Sequence, residues 1–319
     1  MRLLILGIVF LTTVSCSGDV APAHFTLIPP ALCGGDKVSV IAPSYAIEPE
    51  LLERNIAILR AMGFEAKTQP DLHEKYIDFA GTEKRRTSEV LAALRDPETK
   101  AIWAARGGYG ASYVLDGLLT DEVRRANKWL IGFSDLSALH AAWARAGVAS
   151  LHASTVHYLE RWSPSGRDEL LQHLQHKATE SVHGTTSYGT RTVEGWLTGG
   201  NLTVLTSLAG TGYLPSWEGA IVFLEDVGEA PYRLERQLLQ LYQAGAFNGV
   251  VGIALGQFTA CGTANSEVPD RVVQFLRAKV PVPILTGLPV GHDADSRPLL
   301  FGLPALLDPH AQTLTSTAF

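Results

Sequence analysis

From Lys37 onward the chain alternates short apolar runs with longer stretches in which apolar residues recur every three or four positions. "KVSVI" reads as a strand that breaks at the Pro-Ser of "IAPSY", and "EPELLERNIAILRAMG" as an amphipathic helix halted at Gly63. The strand pattern returns in "FEAKTQP", "KAIWAARGGYG" and "KWLIGFSD". Helical text lies between and behind these runs, in "EKRRTSEVLAALRDPET" and from Leu136 onward, where Leu139, Ala142 and Trp143 share one face. Strands alternating with helices of this length predict βαβ units, and so a Rossmann-like α/β domain whose parallel sheet is covered on both faces. Ligands of such sheets bind beyond the carboxyl ends of the strands, where "IAPSY", "RGGYGA" and "GFSD" all lie.

Between residues 161 and 191 the apolar pattern lapses into polar text with one short helix, as a domain connection would. Past it, "TVEGWLTGGNLTVLTSLAGT", "AIVFLEDV", "YRLERQLLQLYQAGAF", "GVVGIALGQF", "VPDRVVQFLRAKV" and "PVPILTGLPVGH" make a second α/β unit. A length of 319 residues agrees with two cores, since single cores stop growing at about 250–300 residues. The expected division is a leader over 1–24, a first domain over 25–161, a linker over 162–192 and a second domain over 193–319. A net charge of −6 without any Lys/Arg run gives no stripe to neutralise phosphates, which excludes nucleic acid as a partner.

The start, "MRLLILGIVFLTTVSCSGD", has the layout of an export signal: one arginine, an apolar stretch, then small residues. The apolar part is shorter than the roughly 20 residues that a spanning helix needs. Cys16 resembles the acceptor cysteine of lipoproteins, although Thr13 and Val14 match that pattern poorly. A working leader places the protein in the cell envelope, anchored to the membrane if Cys16 is lipidated; without one it stays cytoplasmic. Cys33 and Cys261, the cysteines left after it, make no disulfide framework.

Ser134 follows Gly132 on a strand-to-helix turn, a place that exposes a hydroxyl and aims the next N–H at a reacting carbonyl. The G-x-S-x-G elbow lacks its last glycine, because Leu136 stands there, and Ser134 or Asp135 equally suits a helix cap. The adjacent glycines of "RGGYGA" permit positive φ and a close backbone approach. In "AIVFLEDV" the strand period sends Glu225 and Asp226 to opposite faces, and either carboxylate could orient a histidine. Among the histidines, His152 in "ASLHAS" and His292 in "PVGHD" stand just past apolar runs; His292, flanked by Gly291 and Asp293, is the better base. There is no H-E-x-x-H, and the H-x-x-H of 173–176 has the wrong spacing for one helix face, so neither metal nor cofactor is expected.

Taken in order, "IAPS", "RGGYGA", "IGFSDLSALH", "GGNLTVLTSLAGT", "FLEDVGEAPYRLERQL" and "LPVGH" resemble the LD-carboxypeptidase family of serine peptidases, which includes muramoyltetrapeptide carboxypeptidases and microcin C immunity peptidases. The resemblance implies a triad of Ser134 as nucleophile, His292 as base and Glu225 as orienting acid, with an oxyanion hole from the N–H groups of Gly108 and Asp135. It implies a site between the domains, a peptidoglycan-derived peptide as substrate, release of its terminal D-alanine, and a homodimer. A substrate ending in a carboxylate calls for a fixed cation, for which Arg106 and Arg233 stand by position unless they pair with Glu225, Asp226 or Glu229. Asn201 is a further candidate for the pocket wall. After the glycine loop the family often has an arginine near the position of Tyr113. Two other readings remain open: an amidase of nucleotide-linked peptides, with Trp162 and Tyr188 as a stacking surface, and an exported binding protein that closes on a ligand.

Overall fold

The computed structural model describes residues 26–177 and 181–316, so the leader and Cys16 lie outside the described residues. The first sheet is built from β1 (Lys37–Ile41), β2 (Glu65–Thr68), β3 (Thr99–Ala104), β4 (Trp129–Gly132) and β5 (Ser150–His152), all parallel. Helices α1 (Pro49–Ala61), α2 (Glu83–Arg95), α3 (Thr120–Ala126), α4 (Ser137–Ala146) and α5 (Pro164–Leu174) cover it. Their ends carry local stop and start signals. Thr82 accepts from Arg85 N–H to cap α2, Ser163 accepts from Gly166 N–H to cap α5 with Pro164 at its first turn, and Gly147 closes α4 in the left-handed region.

The second sheet takes β6 (Ser181–His183), β7 (Thr186–Tyr188), β8 (Val193–Asn201), β9 (Ala220–Val227), β10 (Gly252–Thr259), β11 (Ile284–Thr286), β13 (Pro304–Asp308) and β14 (Thr313–Ser316). Its centre, β8 to β11, is parallel, and antiparallel strands close both sides. Helices α6 (Leu202–Ser207), α7 (Pro231–Gln243) and α8 (Asp270–Lys279) supply its apolar partners, with Leu234, Leu238 and Val272 packed against Val222, Leu224 and Ile253.

Two expectations change. The stretch 162–192 is no linker: Leu170 and Leu174 of α5 are buried in the first domain's core, and β6 and β7 form opposite edges of the second sheet. The sheets also share chain, since β12 (Leu299–Phe301) leaves the second unit and pairs antiparallel with β5 in the first. Short edge strands with partners about a hundred or more residues away leave little periodic signal, because pairing rather than pattern defines them.

Candidate active site

The turn after β4 brings its serine into view by strain. Ser134 has φ 64°, in the left-handed region that non-glycine residues rarely occupy. Gly132 makes the turn possible: a Cβ there would stand 2.9 Å from Leu136 Cγ. The glycine missing after Ser134 is thus answered on its other side, because buried Leu136 fills the space that Gly132 leaves open. Asp135 is not the helix cap. Its Oδ2 accepts from Ser44 Oγ at 2.5 Å and from Ala111 N–H at 2.8 Å, which ties the loops after β1 and β3 to the Ser134 turn. Burial pushes the Asp135 carboxyl above its ordinary range against those two hydrogen bonds and the charge of Arg86.

Glu225 stands two residues before the end of β9, on the face turned to this site, and His292 lies in the loop after β11. The loop is braced: Gly291 N–H donates to Ser296 Oγ, Asp293 N–H donates to Gln257 Oε1, and Asp293 Oδ1 accepts from Thr259 and Ser266. The Phe133 ring packs on the imidazole with centroids 4.8 Å apart. His292 Nδ1 stands 2.8 Å from Glu225 Oε2 and Nε2 stands 3.1 Å from Ser134 Oγ. An ionised carboxylate only accepts, so Nδ1 carries the proton and Nε2 is left to accept from the serine hydroxyl. Burial alone would lower the His292 pKa. The charge and hydrogen bond of Glu225, with Asp226 and Asp293 behind them, outweigh burial and hold it above the ordinary value. The arrangement can take a proton from Ser134 and hold it on a ring whose tautomer is set.

Asp226, on the opposite face of β9, is engaged elsewhere: it accepts from Asn201 Nδ2, from Thr203 N–H and Oγ1, and from Val227 N–H. Burial and the like charge of Glu225 lift it to about 6. His152, the other candidate base, is buried under Phe133, Phe223 and Phe301, where burial and the neighbouring histidines push its pKa well below the ordinary value. In the glycine loop, Gly107 faces Ser134, since a Cβ on it would lie 3.2 Å from Ser134 Cβ and 3.4 Å from Oγ. Gly108 has φ 115° and backs onto the Tyr45 ring. Among the described residues no acceptor takes the Gly108 N–H.

Two family models match the chain, the LD-carboxypeptidase N-terminal domain over 38–153 and the LD-carboxypeptidase C-terminal domain over 194–307. The chain belongs to the LD-carboxypeptidase family. It is 35% identical to a murein tetrapeptide carboxypeptidase of Pseudomonas aeruginosa, over 85% of this chain and 93% of that one. The solved muramoyltetrapeptide carboxypeptidase of Oxalobacter formigenes superposes with a TM-score of 0.80 at 28% identity, covering 88% of this chain and 99% of that one. The microcin C7 self-immunity protein MccF shares the fold, with a TM-score of 0.82 at 22% identity over 92% and 99% of the two chains. As an LD-carboxypeptidase the protein is a serine peptidase with two α/β domains.

The remaining candidates separate clearly in this LD-carboxypeptidase. Arg106, half-buried at the end of β3, donates to Ala46 O at 3.1 Å and lies 5.8 Å from the Tyr45 ring, with no carboxylate partner among the described residues. Arg233 is exposed and paired with Glu229 at 3.6 Å. Asn201 is buried, and its side chain is occupied in capping α6 through Val204 N–H and in holding Asp226, so it does not present itself to a ligand. Trp162 is buried in the first core, whereas Tyr188 lies on an edge strand of the second sheet against Arg277, so the two do not form one stacking surface. Buried Arg86 sets its guanidinium carbon 5.9 Å from the Tyr113 ring. Sequence reading passed over Ser44 and Gly107, although both stand in strand-end loops already marked as ligand-facing.

Proposed function

We propose that this LD-carboxypeptidase releases the terminal D-alanine of peptidoglycan tetrapeptides through an acyl-enzyme on Ser134. His292 takes the serine proton as Oγ attacks the scissile carbonyl and returns it to the departing amine, while Glu225 steadies the imidazolium. The N–H groups of Gly108 and Asp135 receive the oxyanion. Water then repeats the cycle: it gives its proton to His292, attacks the acyl carbon and frees Ser134. Arg106 takes the terminal carboxylate, which makes the enzyme a carboxypeptidase; among the described residues it is the candidate cation without a carboxylate partner.

The observation that carries the reading is the unbroken hydrogen-bond chain from Ser134 through His292 to Glu225, at a serine held at φ 64°. The printed names of the P. aeruginosa and O. formigenes relatives support the choice of substrate. Incubating the purified protein with a disaccharide tetrapeptide should yield tripeptide and free D-alanine in equal amounts without added metal; tetrapeptide that stays intact refutes it. The leader supports a further part of the proposal, action in the cell envelope through lipidated Cys16. Cys16→Ser should then move the protein out of the membrane fraction, and a wild-type protein found wholly in the cytoplasm refutes that part.

A further inference from the structure

Three strand-end loops meet beside the nucleophile and raise an aromatic surface there. Tyr45 follows β1, Phe79 precedes α2, and Tyr109 and Tyr113 follow β3. Phe79 is central, with ring centroids 6.1 Å from Tyr45, 5.7 Å from Tyr109 and 6.1 Å from Tyr113. Tyr109 and Tyr113 are nonetheless 49% and 44% exposed, and Ile77, two residues before Phe79, is 68% exposed.

The surface is held in place by bonds of its own. Ala46 N–H donates to Asp78 O and Ala80 N–H to Ser44 O, both at 3.0 Å, which clamps the Phe79 loop to the loop after β1. Buried Arg86 donates to Gly81 O at 2.9 Å and sets its guanidinium carbon 4.6 Å from the Phe79 centroid. Through Ser44 and Ala111, Asp135 fastens two of the three loops to the residue beside Ser134. Rings fixed in advance lose little freedom when a ligand arrives.

One loop joins the proposed cation, the serine and the aromatic surface. Arg106 is the cation, Gly107 lies against Ser134, and Tyr109 begins the aromatic surface. From the Arg106 guanidinium across Tyr45 and Phe79 to Tyr109 the steps are 5.8, 6.1 and 5.7 Å. An extended tetrapeptide reaches roughly 14 Å. These contacts keep Arg106 and Tyr109 no farther apart than about the length of a tetrapeptide plus one ring, so a tetrapeptide with its terminal carboxylate at Arg106 and its scissile bond at Ser134 has the reach to set the group joined to its N-terminus against Tyr109 and Tyr113. In a muramoyl peptide that group is a sugar, whose pyranose ring offers C–H faces to aromatic rings and hydroxyls to phenols.

We infer that Tyr109 and Tyr113, backed by Phe79, form a saccharide subsite for the sugar ring of a glycan-linked tetrapeptide. The inference rests on the tetrapeptide reading above and specifies what the substrate carries. Calorimetry on Ser134→Ala protein tests it without turnover, by comparing Kd for disaccharide tetrapeptide and for the same tetrapeptide without sugar. The sugar should tighten binding about tenfold; adding Tyr109→Ala should erase the advantage and Tyr109→Phe should keep it. Equal affinities, no binding of either, or an advantage unchanged by Tyr109→Ala overturn the inference. So does a dimer that Tyr109→Ala breaks into monomers in sedimentation, which would make the surface an interface between copies. D-alanine appearing in the Ser134→Ala samples would instead strike the catalytic proposal, whatever the affinities.

Discussion

Replacing Glu225 by Gln removes a charge from a pair that solvent scarcely reaches, with the Glu225 side chain 0% and the His292 side chain 8% exposed. The 2.8 Å contact keeps its shape but loses its ion. In the transition state His292 carries a proton, and a buried charge stripped of its partner costs about 3–5 kcal/mol. That converts to a fall of about 10²- to 10³·⁵-fold in kcat/KM. A second effect has a definite sign. In the wild type Glu225, Asp226 and Asp293 overcome burial and raise the His292 pKa. The ring must be neutral to act as base, so kcat/KM should rise with pH through an acid limb above the ordinary histidine value. Without the Glu225 charge, burial gains weight and the limb should move to lower pH. Initial rates of D-alanine release from pH 4.5 to 9 for both proteins measure the two effects together. A limb that stays in place with a loss below tenfold would refute the coupling.

Gly107→Ala should cut kcat about 10–100-fold while leaving Tm within a few degrees, because its Cβ would stand 3.2 Å from Ser134 Cβ and 3.4 Å from its Oγ, with Asp135 N at 3.7 Å as the next atom; steady-state kinetics beside calorimetry checks this. Arg106→Gln should raise KM about tenfold or more for the tetrapeptide acid and much less for its C-terminal amide; equal losses on both would remove Arg106 from the carboxylate. Gly132→Ala should destabilise by about 1–3 kcal/mol in urea titrations, since the added methyl meets Leu136 at 2.9 Å and Ala104 at 3.2 Å. Burial lowers His140 to about 4, so its folded pKa lies under its unfolded one. It therefore lends stability that is whole above pH 6.5 and is lost as pH falls toward 4, by about 3 kcal/mol. His140→Gln should flatten the dependence of unfolding free energy on pH across that window.

Much of this was legible along the chain. Apolar periodicity located β1 to β4, β8 to β10 and the long helices, because each buries a regular face of its own. Ser134, Glu225 and His292, which the structure brings together, were picked out by motif resemblance rather than by local pattern: strand period alone left Glu225 and Asp226 equivalent. What separates them is tertiary, since α6 offers Asp226 the N–H and hydroxyl of Thr203 and leaves Glu225 to His292. Asp135 misled for the same reason. A capping residue by type, it is bound instead by Ser44, 91 residues away. The supposed linker and β12 went unread because three-residue strands are defined by distant partners. The cluster around Phe79 was equally hidden, with its rings drawn from three loops that no window of sequence contains.

The most direct measurement is D-alanine release from disaccharide tetrapeptide by wild-type and Ser134→Ala protein, both shown to be folded by circular dichroism. Nucleophilic attack by Ser134 predicts sustained release from the wild type and a loss of at least about 10⁴-fold in the variant; release that survives the substitution at a comparable rate contradicts it.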